Sequence, residues 1–348
     1  MTDASAFRRI GAWLPGLVVL GVLVAAPFIP EFSFADGKVF FFGDGFVQLI
    51  LTKMLWLGIA ALSLVFLAGY GGMVSLAQTA LYGIAGFVMG NVVQADGGLD
   101  MALNPWLGVV IGILFAVIIG FLLGAISARS EGIYFLMITL AFAVLTFFFW
   151  GAVTQLSGFG GLNNVVKPEL VRGPNNLYYT ALIVAVAAYL LIRYAIRTPF
   201  GIALQGVRDE STRMRALGYN VALHRTLAFA FGAFIAALSG ILSVWWNTRI
   251  DPNSINLQAT LDVLVIAVVG GLFRLAGAFV GAFVFVAIEV YVKNFNFERF
   301  NTLIGSVFLV IVLLSPGGLL GIWDTVRGYT KRVRRGGGEP LAPAQEGR

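Results

Sequence analysis

The sequence predicts an all-α membrane protein, a polytopic helical bundle of about ten transmembrane helices with both termini in the cytoplasm. Hydrophobic residues make up 59% of its 348 residues and charged residues only 11%, whereas a soluble domain carries about 25% charged residues. Apolar stretches of about 20 residues, the length that crosses a bilayer, recur along the chain. The basic residues collect in the loops between these stretches. Together these observations exclude a soluble domain.

Windows of about 20 residues define the predicted spans in chain order. They are residues 11–30, 46–68, 72–93, 105–127, 131–150, 177–196, 222–246, 256–273, 275–293 and 300–316. The break between the second and third spans rests on Gly69-Tyr70-Gly71-Gly72 alone. Lys53, inside the second span, is expected to extend its ammonium group toward the outer interface. We assign residues 1–326 to one transmembrane domain and residues 327–348, rich in glycine and proline, to a flexible cytoplasmic tail.

The distribution of lysine and arginine predicts the orientation. With both termini inside, 16 of the 23 basic residues fall on the cytoplasmic side and seven on the outer side. Cytoplasmic loops of membrane proteins carry such an excess. The net charge of +6 follows from this bias and does not indicate nucleic-acid binding.

The composition also narrows the possible chemistry. The chain has no cysteine and one histidine, His224, so thiol nucleophiles, disulfides and multi-histidine metal sites are excluded. It contains no G-x-x-x-x-G-K-[ST] sequence, so it is not itself an ATPase of the P-loop type. With no paired acids at a useful spacing either, we predict no catalytic residues, no bound cofactor and no metal site.

Glycine pairs four residues apart predict close helix packing, because small residues let two backbones approach in lipid. They are Gly86 and Gly90, Gly108 and Gly112, Gly120 and Gly124, and Gly277 and Gly281. Packing within one bundle and an interface with a second membrane subunit both explain them.

The largest charged interruption of the apolar pattern runs from Arg193 to Arg225 and is predicted to face the cytoplasm. Within its loop, at about 197–224, residues 210–217 are predicted to form a short helix, with Asp209 as N-cap and Gly218 as the left-handed residue that ends it. Its apolar side chains are Met214, Ala216 and Leu217. They pack either on their own helix ends or in a groove of a cytoplasmic partner.

The segment from Arg208 to Val221 resembles the coupling loop of ABC importer permeases, and the whole chain resembles the LivM-type permeases of branched-chain amino acid importers. The resemblance extends over about residues 55–320. Its other motifs are Gly71–Gln78 (GGMVSLAQ), Arg129–Phe142 (RSEGIYFLMITLAF), Ser157–Leu162 (SGFGGL), Val268–Leu272 with Gly277–Gly281, and Ser315–Leu319 (SPGGL). These motifs stand in the family's order. The loop departs from the family where Ser211, Arg213 and Met214 replace an acidic and two small residues.

The resemblance implies a transport subunit of the bacterial inner membrane. It implies four kinds of partner: a second related permease, two cytoplasmic ATPase subunits that bind the ATP, a periplasmic substrate-binding protein and membrane lipid. It also implies a coupling surface, made of Arg208, Asp209, Glu210, Arg215, Ala216, Leu217 and Gly218. The implied cargo is a branched-chain amino acid, with urea or short amides as the alternative. A self-sufficient secondary transporter or channel is less favoured, because the spans show no convincing central charge.

Polar side chains inside the predicted spans are candidates for the translocation path: Ser75, Gln78, Thr79 and Thr139. Hydrogen bonding between helices explains them equally well. The two acids in the spans, Asp262 and Glu289, are expected near helix ends with interfacial solvation, and His224 is expected at a span boundary. The outer loop 151–176 could receive the binding protein or be only a connection.

Overall fold

The computed structural model describes residues 43–93, 103–158 and 160–295 without a break. It also describes residues 16, 18–29, 32–34, 39–41, 99, 101, 302, 305, 306, 309, 318, 319 and 321. The rest of the chain, including the predicted tail at 327–348, lies outside the described residues.

The described part of the chain is a helical bundle. Its main helices are α1 (Val18–Phe28), α2 (Val47–Gly71), α3 (Gln78–Val92), α4 (Pro105–Ser127), α5 (Ile133–Ala152), α6 (Pro174–Ala195), α7 (Pro199–Asp209), α8 (Ser211–Ala216), α9 (Val221–Asn247), α10 (Leu257–Gly270) and α11 (Leu275–Phe295). Six of them, α2, α4, α5, α6, α9 and α11, are long and apolar enough to cross a membrane. The chain is therefore a multi-pass helical membrane protein.

One small hairpin departs from the all-α prediction. Strands β1 (Phe32–Phe34) and β2 (Val39–Phe41) pair antiparallel with Phe32 opposite Phe41. Aromatic and β-branched residues of this kind favour extended backbone. The prediction missed them because they lie between two apolar spans.

Most predicted spans coincide with a helix to within a few residues, and α4 matches its prediction, 105–127, at both ends. The prediction for 72–93 is wrong over its first part, because α2 ends at Gly71 and α3 begins only at Gln78. Gly72 adopts a left-handed conformation (φ +66°), which glycine tolerates without strain and which turns the chain out of α2. Of the predicted span 300–316, four positions are described, and all four are helical.

α2 forms the centre of the bundle, with 89% of its most apolar window buried. A helix that is apolar all round is stable in such a position because neighbours cover every face. α4 is different, since only 28% of its window is buried. Its glycines face α3 and α9, and its large aliphatic side chains, such as Leu114 and Leu122, are exposed on the opposite face. A lipid tail covers such a face without cost.

The predicted glycine pairs pack within this one chain. A Cβ on Gly112 would lie 2.7 Å from the backbone oxygen of Ala85 in α3, and one on Gly277 would lie 2.5 Å from that of Gly270 in α10. The other members of the four pairs are likewise in close contact with their own chain. The structure thus favours packing within the bundle over a subunit interface at these positions.

The bundle has two ends, which we name by their contents. α7 and α8 lie at the loop end, where the Arg208 guanidinium contacts the last turn of α2. At the far end the Trp246 indole near the end of α9 donates to the Gln48 carbonyl oxygen near the start of α2 (3.0 Å). α2 and α9 therefore run antiparallel through the whole bundle.

Candidate coupling surface and translocation cavity

Two short helices build the predicted coupling loop. α7 begins with Pro199, whose ring suits the first helical position, after Thr198 as N-cap, which accepts from the Gly201 amide (3.3 Å). Asp209 is the last residue of α7, so its prediction as the N-cap of the next helix is wrong. Glu210 occupies that position instead, and its side chain makes no capping hydrogen bond.

Gly218 ends α8 as predicted. Its φ is +89°, and its amide donates to the Arg215 carbonyl (3.0 Å) while the Tyr219 amide donates to that of Met214 (3.0 Å). These two bonds form a Schellman motif, which satisfies the last carbonyls of a helix. The motif fixes the direction in which the chain leaves α8.

The apolar side of α8 is divided between the chain itself and solvent. Met214 packs on α7, with its sulfur 2.9 Å from where a Cβ on Gly206 would lie. Ala216 is exposed, and the Leu217 side chain is 65% exposed. The surface of α8 therefore presents an aliphatic side chain that no other part of the described chain covers.

Arg208 connects this loop to α2. Its guanidinium donates to the carbonyl oxygen of Gly69 and pairs with Asp209 (2.7 Å). Its Cγ lies 2.6 Å from the position of a Cβ on Gly72, so only glycine fits beneath the stem. A cation at a helix C-terminus is favoured by the helix dipole. Arg208 thus holds α7 against the turn between α2 and α3.

Glu131 is a second link that the sequence analysis missed. One carboxylate oxygen lies 2.9 Å from Arg225 at the start of α9 and 3.5 Å from Arg215 in α8. The side chain of Arg225 is only 10% exposed. Glu131 lies in the motif Arg129–Phe142. It is 94 residues from Arg225 in sequence, so the sequence contains no sign that the two side chains touch.

His224 lies in the first turn of α9, where the sequence placed it. Its ring stacks on Phe200 of α7 (5.6 Å between centroids), and its Nδ1 lies 2.9 Å from the Asn220 carbonyl. The residue fixes α7 against α9.

Three of the four path candidates belong to a buried hydrogen-bond network in the middle of the bundle. Gln78 accepts from the Ser63 hydroxyl (2.5 Å) and donates to that of Ser75 (3.4 Å). Thr139 of α5 accepts from the Leu76 amide (3.2 Å). The Thr139 and Ser75 hydroxyls also satisfy the Leu76 and Ala77 amides, which the non-helical segment 72–77 leaves without a helical partner. Of these bonds, that between Gln78 and Ser63 joins two helices, whereas Thr139 bonds the non-helical segment and Ser75 bonds residues close to it in sequence. A place on the translocation path stays a prediction for all three residues.

The fourth candidate, Thr79, lines a cavity of about 350 Å³ between α2, α3, α10 and α11. Apolar side chains form much of its wall, and charged and polar groups from several helices enter it. The lining includes Lys53, Trp56, Leu57, Ala60, Tyr82, Ser254, Gln258, Ala259, Asp262, Val263, Phe285 and Glu289. Its α2 residues end at Ala60, about one helical turn before Ser63, so the cavity lies on the far-end side of the polar network.

An ion pair stands in this cavity. The Lys53 ammonium lies 2.6 Å from a Glu289 carboxylate oxygen and 5.7 Å from the centroid of the Trp246 ring. Lys53 is only 18% exposed and Glu289 11%. The predicted interfacial solvation of Glu289 is therefore wrong, because the bundle buries its side chain and Lys53 of α2 pairs with its carboxylate.

Asp262 enters the same cavity from α10. It is half-buried and accepts from the Gln258 amide (2.9 Å) one turn earlier. Beside them the Tyr82 hydroxyl is bonded to that of Ser243 (2.5 Å). The sequence placed these groups on separate helices, and only the packing brings them to one space.

The loop 151–176 crosses the far end. Leu162 pairs with Ile250 by two backbone hydrogen bonds (2.8 and 3.0 Å), which ties this loop to the one after α9. Lys167 lines a second cavity of about 380 Å³ with Gln48, Thr52 and Trp246. Partial burial lowers the pKa of the Lys167 ammonium from its usual value.

A multi-pass helical bundle with an exposed pair of loop helices and an internal cavity that holds charged groups fits a membrane transport component. The chain matches the model of the branched-chain amino acid transport system permease component over residues 14–314, and it belongs to that family. The resemblance inferred from the motifs is confirmed. No solved structure matches the chain.

Several relatives of the chain are named as permeases of branched-chain amino acid transport systems. Over 309 residues the chain is 24% identical to the high-affinity branched-chain amino acid transport system permease protein LivM of Escherichia coli K12, with 81% of this chain and 71% of that protein covered. It is 24% identical to the probable LivM permease of Methanocaldococcus jannaschii, with 79% and 94% covered. It is 25% identical to the LivH permease of Salmonella typhimurium, with 73% and 87% covered.

Proposed function

We propose that this chain is a membrane-spanning permease subunit of an ATP-driven ABC importer that moves branched-chain amino acids into the cytoplasm. The family match over residues 14–314 carries the proposal. Relatives named as permeases for these amino acids, in both bacteria and an archaeon, support it.

The subunit works in an assembly. Because the relatives include both LivM and LivH permeases, the second half of the membrane channel is a related permease. Two ATPase subunits bind the ATP in the cytoplasm, and a periplasmic binding protein delivers the amino acid. This chain has no Walker A sequence, so it transmits the energy of hydrolysis and does not release it.

In the membrane the chain forms ten spans, with both termini in the cytoplasm of a bacterium's inner membrane. The six long helices account for six spans. The others are α1, α10, α3 with the non-helical residues 72–77 before it, and the predicted span at 300–316. The bias of 16 basic residues against seven supports the orientation. The loop end is then cytoplasmic, and the far end faces the periplasm.

α8 and its flanking residues form the surface that the ATPase engages. The exposure of Ala216 and Leu217 and the rigid exit at Gly218 support this role. Arg208, Asp209, Glu210 and Arg215 surround them with charge.

Motion at α8 has a continuous route to the cavity. Arg208 contacts Gly69 and packs over Gly72. The non-helical segment 72–77 follows Gly71 and contains Ser75, which bonds Gln78 at the start of α3. A packed chain of this kind has few intermediate arrangements, so a shift of α7 biases the network between two states. ATP binding in the partner would thereby open the cavity toward the loop end.

Uptake of radiolabelled leucine into cells lacking this chain, with urea uptake measured alongside, tests the proposal. We expect leucine uptake to be lost and then restored by the intact gene. Loss of urea uptake alone would keep the permease function and change its substrate to urea or short amides. Unchanged uptake of both would contradict the proposed function.

A further inference from the structure

We propose that the cavity between α2, α3, α10 and α11 is a transient binding site for the zwitterionic head group of the amino acid in transit. Lys53 takes the carboxylate, and Glu289 and Asp262 take the ammonium group. This inference rests on the proposed function and specifies where this subunit holds the cargo.

The dimensions and walls of the cavity suit an amino acid. Its volume of about 350 Å³ lies at the lower end of the roughly 300–1,000 Å³ range of small-molecule pockets. Leu57, Val263 and Phe285 supply an apolar wall for an aliphatic side chain. The lining thus offers both charged and apolar groups, which are the two kinds of contact that leucine, isoleucine or valine needs.

The charges also match. An uncharged molecule such as urea can hydrogen-bond to these two groups, but it carries no charge with which to replace either ionic partner. A zwitterion can enter between Lys53 and Glu289, since it offers a carboxylate to the one and an ammonium to the other. Each protein charge exchanges one ionic partner for another, so the desolvation of Lys53 and Glu289 themselves is already complete before the ligand enters.

The position of the cavity fits a holding site. The buried network of Ser63, Gln78 and Ser75 closes it toward the loop end. Lys53 precedes Ser63 by ten residues, or about 15 Å along the helix. An amino acid held at Lys53 is therefore separated from the loop end by the network that Arg208 adjoins.

A structural interpretation competes with this one, namely that the pair only clamps α2 to α11 through two residues that lie 236 positions apart in sequence. Transport by single and double neutral variants separates the two. We would reconstitute the complete importer in liposomes and measure leucine transport at saturating binding protein for Lys53→Met, Glu289→Gln and both together. Removing a protein charge that pairs with a bound ligand weakens the affinity for that ligand roughly tenfold or more.

A substrate site predicts that the double variant assembles normally yet transports leucine at least about tenfold more slowly, like the singles. A clamp predicts recovery, because removing both charges leaves neither unpaired. Near wild-type transport by the double variant would overturn the inference while leaving the proposed function intact. A wild-type importer that moves no leucine would instead overturn the proposed function.

Thiol protection supplies a second test that does not depend on the charge variants folding. Because the chain has no cysteine, Ala259→Cys places one thiol in the cavity wall, and exposed Asn175→Cys places one outside it as the matched control. We expect excess leucine to slow modification of the cavity thiol in the assembled importer and to leave the control unchanged. Equal modification with and without leucine at both positions would contradict the site.

Discussion

Arg208 combines three contacts that no shorter side chain could make. Its stem covers Gly72, its guanidinium reaches the carbonyl of Gly69, and it pairs with Asp209. Lysine would keep the charge but lose the planar fork that bonds two acceptors at once. The residue is thus the physical connection between the loop end and the centre of the bundle.

Replacing Arg208 with alanine is expected to uncouple the importer. Leucine transport should fall at least about tenfold while most of the ATPase still co-purifies, because the substitution removes the contacts with Gly69 and Gly72 and leaves Ala216 and Leu217 exposed. Transport and pull-down of the detergent-solubilised complex would be measured together. Exposed Arg197→Ala, in the same loop, is the control and should transport normally. Normal transport by the Arg208 variant would remove this residue from the coupling route.

The length of each apolar run predicted well where most of the helices lie. Where a helix is interrupted, and which side chains share a cavity, depends on tertiary contacts. α4 could be placed from its apolar run because no polar group interrupts it. The non-helical start of the third span could not, because its backbone amides are satisfied by tertiary and local partners, among them the Thr139 and Ser75 hydroxyls. The cavity was equally hidden, since its charged groups lie on α2, α10 and α11, more than 200 residues apart at the extremes.

The contact between α10 and α11 depends on glycine. Val substituted for Gly281 would place its Cβ against the backbone of Gly270, which cannot move aside. Overpacking of this kind costs about 1–3 kcal/mol. We expect a lower melting temperature for the purified permease pair. Gly151→Val, on a helix where a Cβ meets open space, is the matched control and should melt like the wild type; equal melting of both variants would show that the two helices separate freely.

The α8 surface makes its own prediction. Leu217→Glu leaves the Schellman motif at Gly218 intact but puts a charge where an apolar contact is proposed, so assembly with the ATPase should fall sharply while membrane insertion is unchanged. Co-purification of the ATPase measures it. Leu170→Glu makes the same change at a 74% exposed leucine of the far end and should assemble normally. Full recovery of the ATPase with the Leu217 variant would place the docking surface elsewhere.

At the scale of the whole molecule, the antiparallel course of α2 and α9 puts α7 and α8 at one end and the 158–173 and 248–256 loops at the other. The proposed orientation of this axis rests on charge counting, since cytoplasmic loops carry an excess of lysine and arginine. Val166, in the far-end loop and only partly covered, is then periplasmic. A reporter that fluoresces only in the cytoplasm should give no signal when fused after Val166, whereas a fusion after Gly218 should be bright. A bright Val166 fusion would reverse the orientation, and α8 would then lie where no cytoplasmic ATPase could reach it.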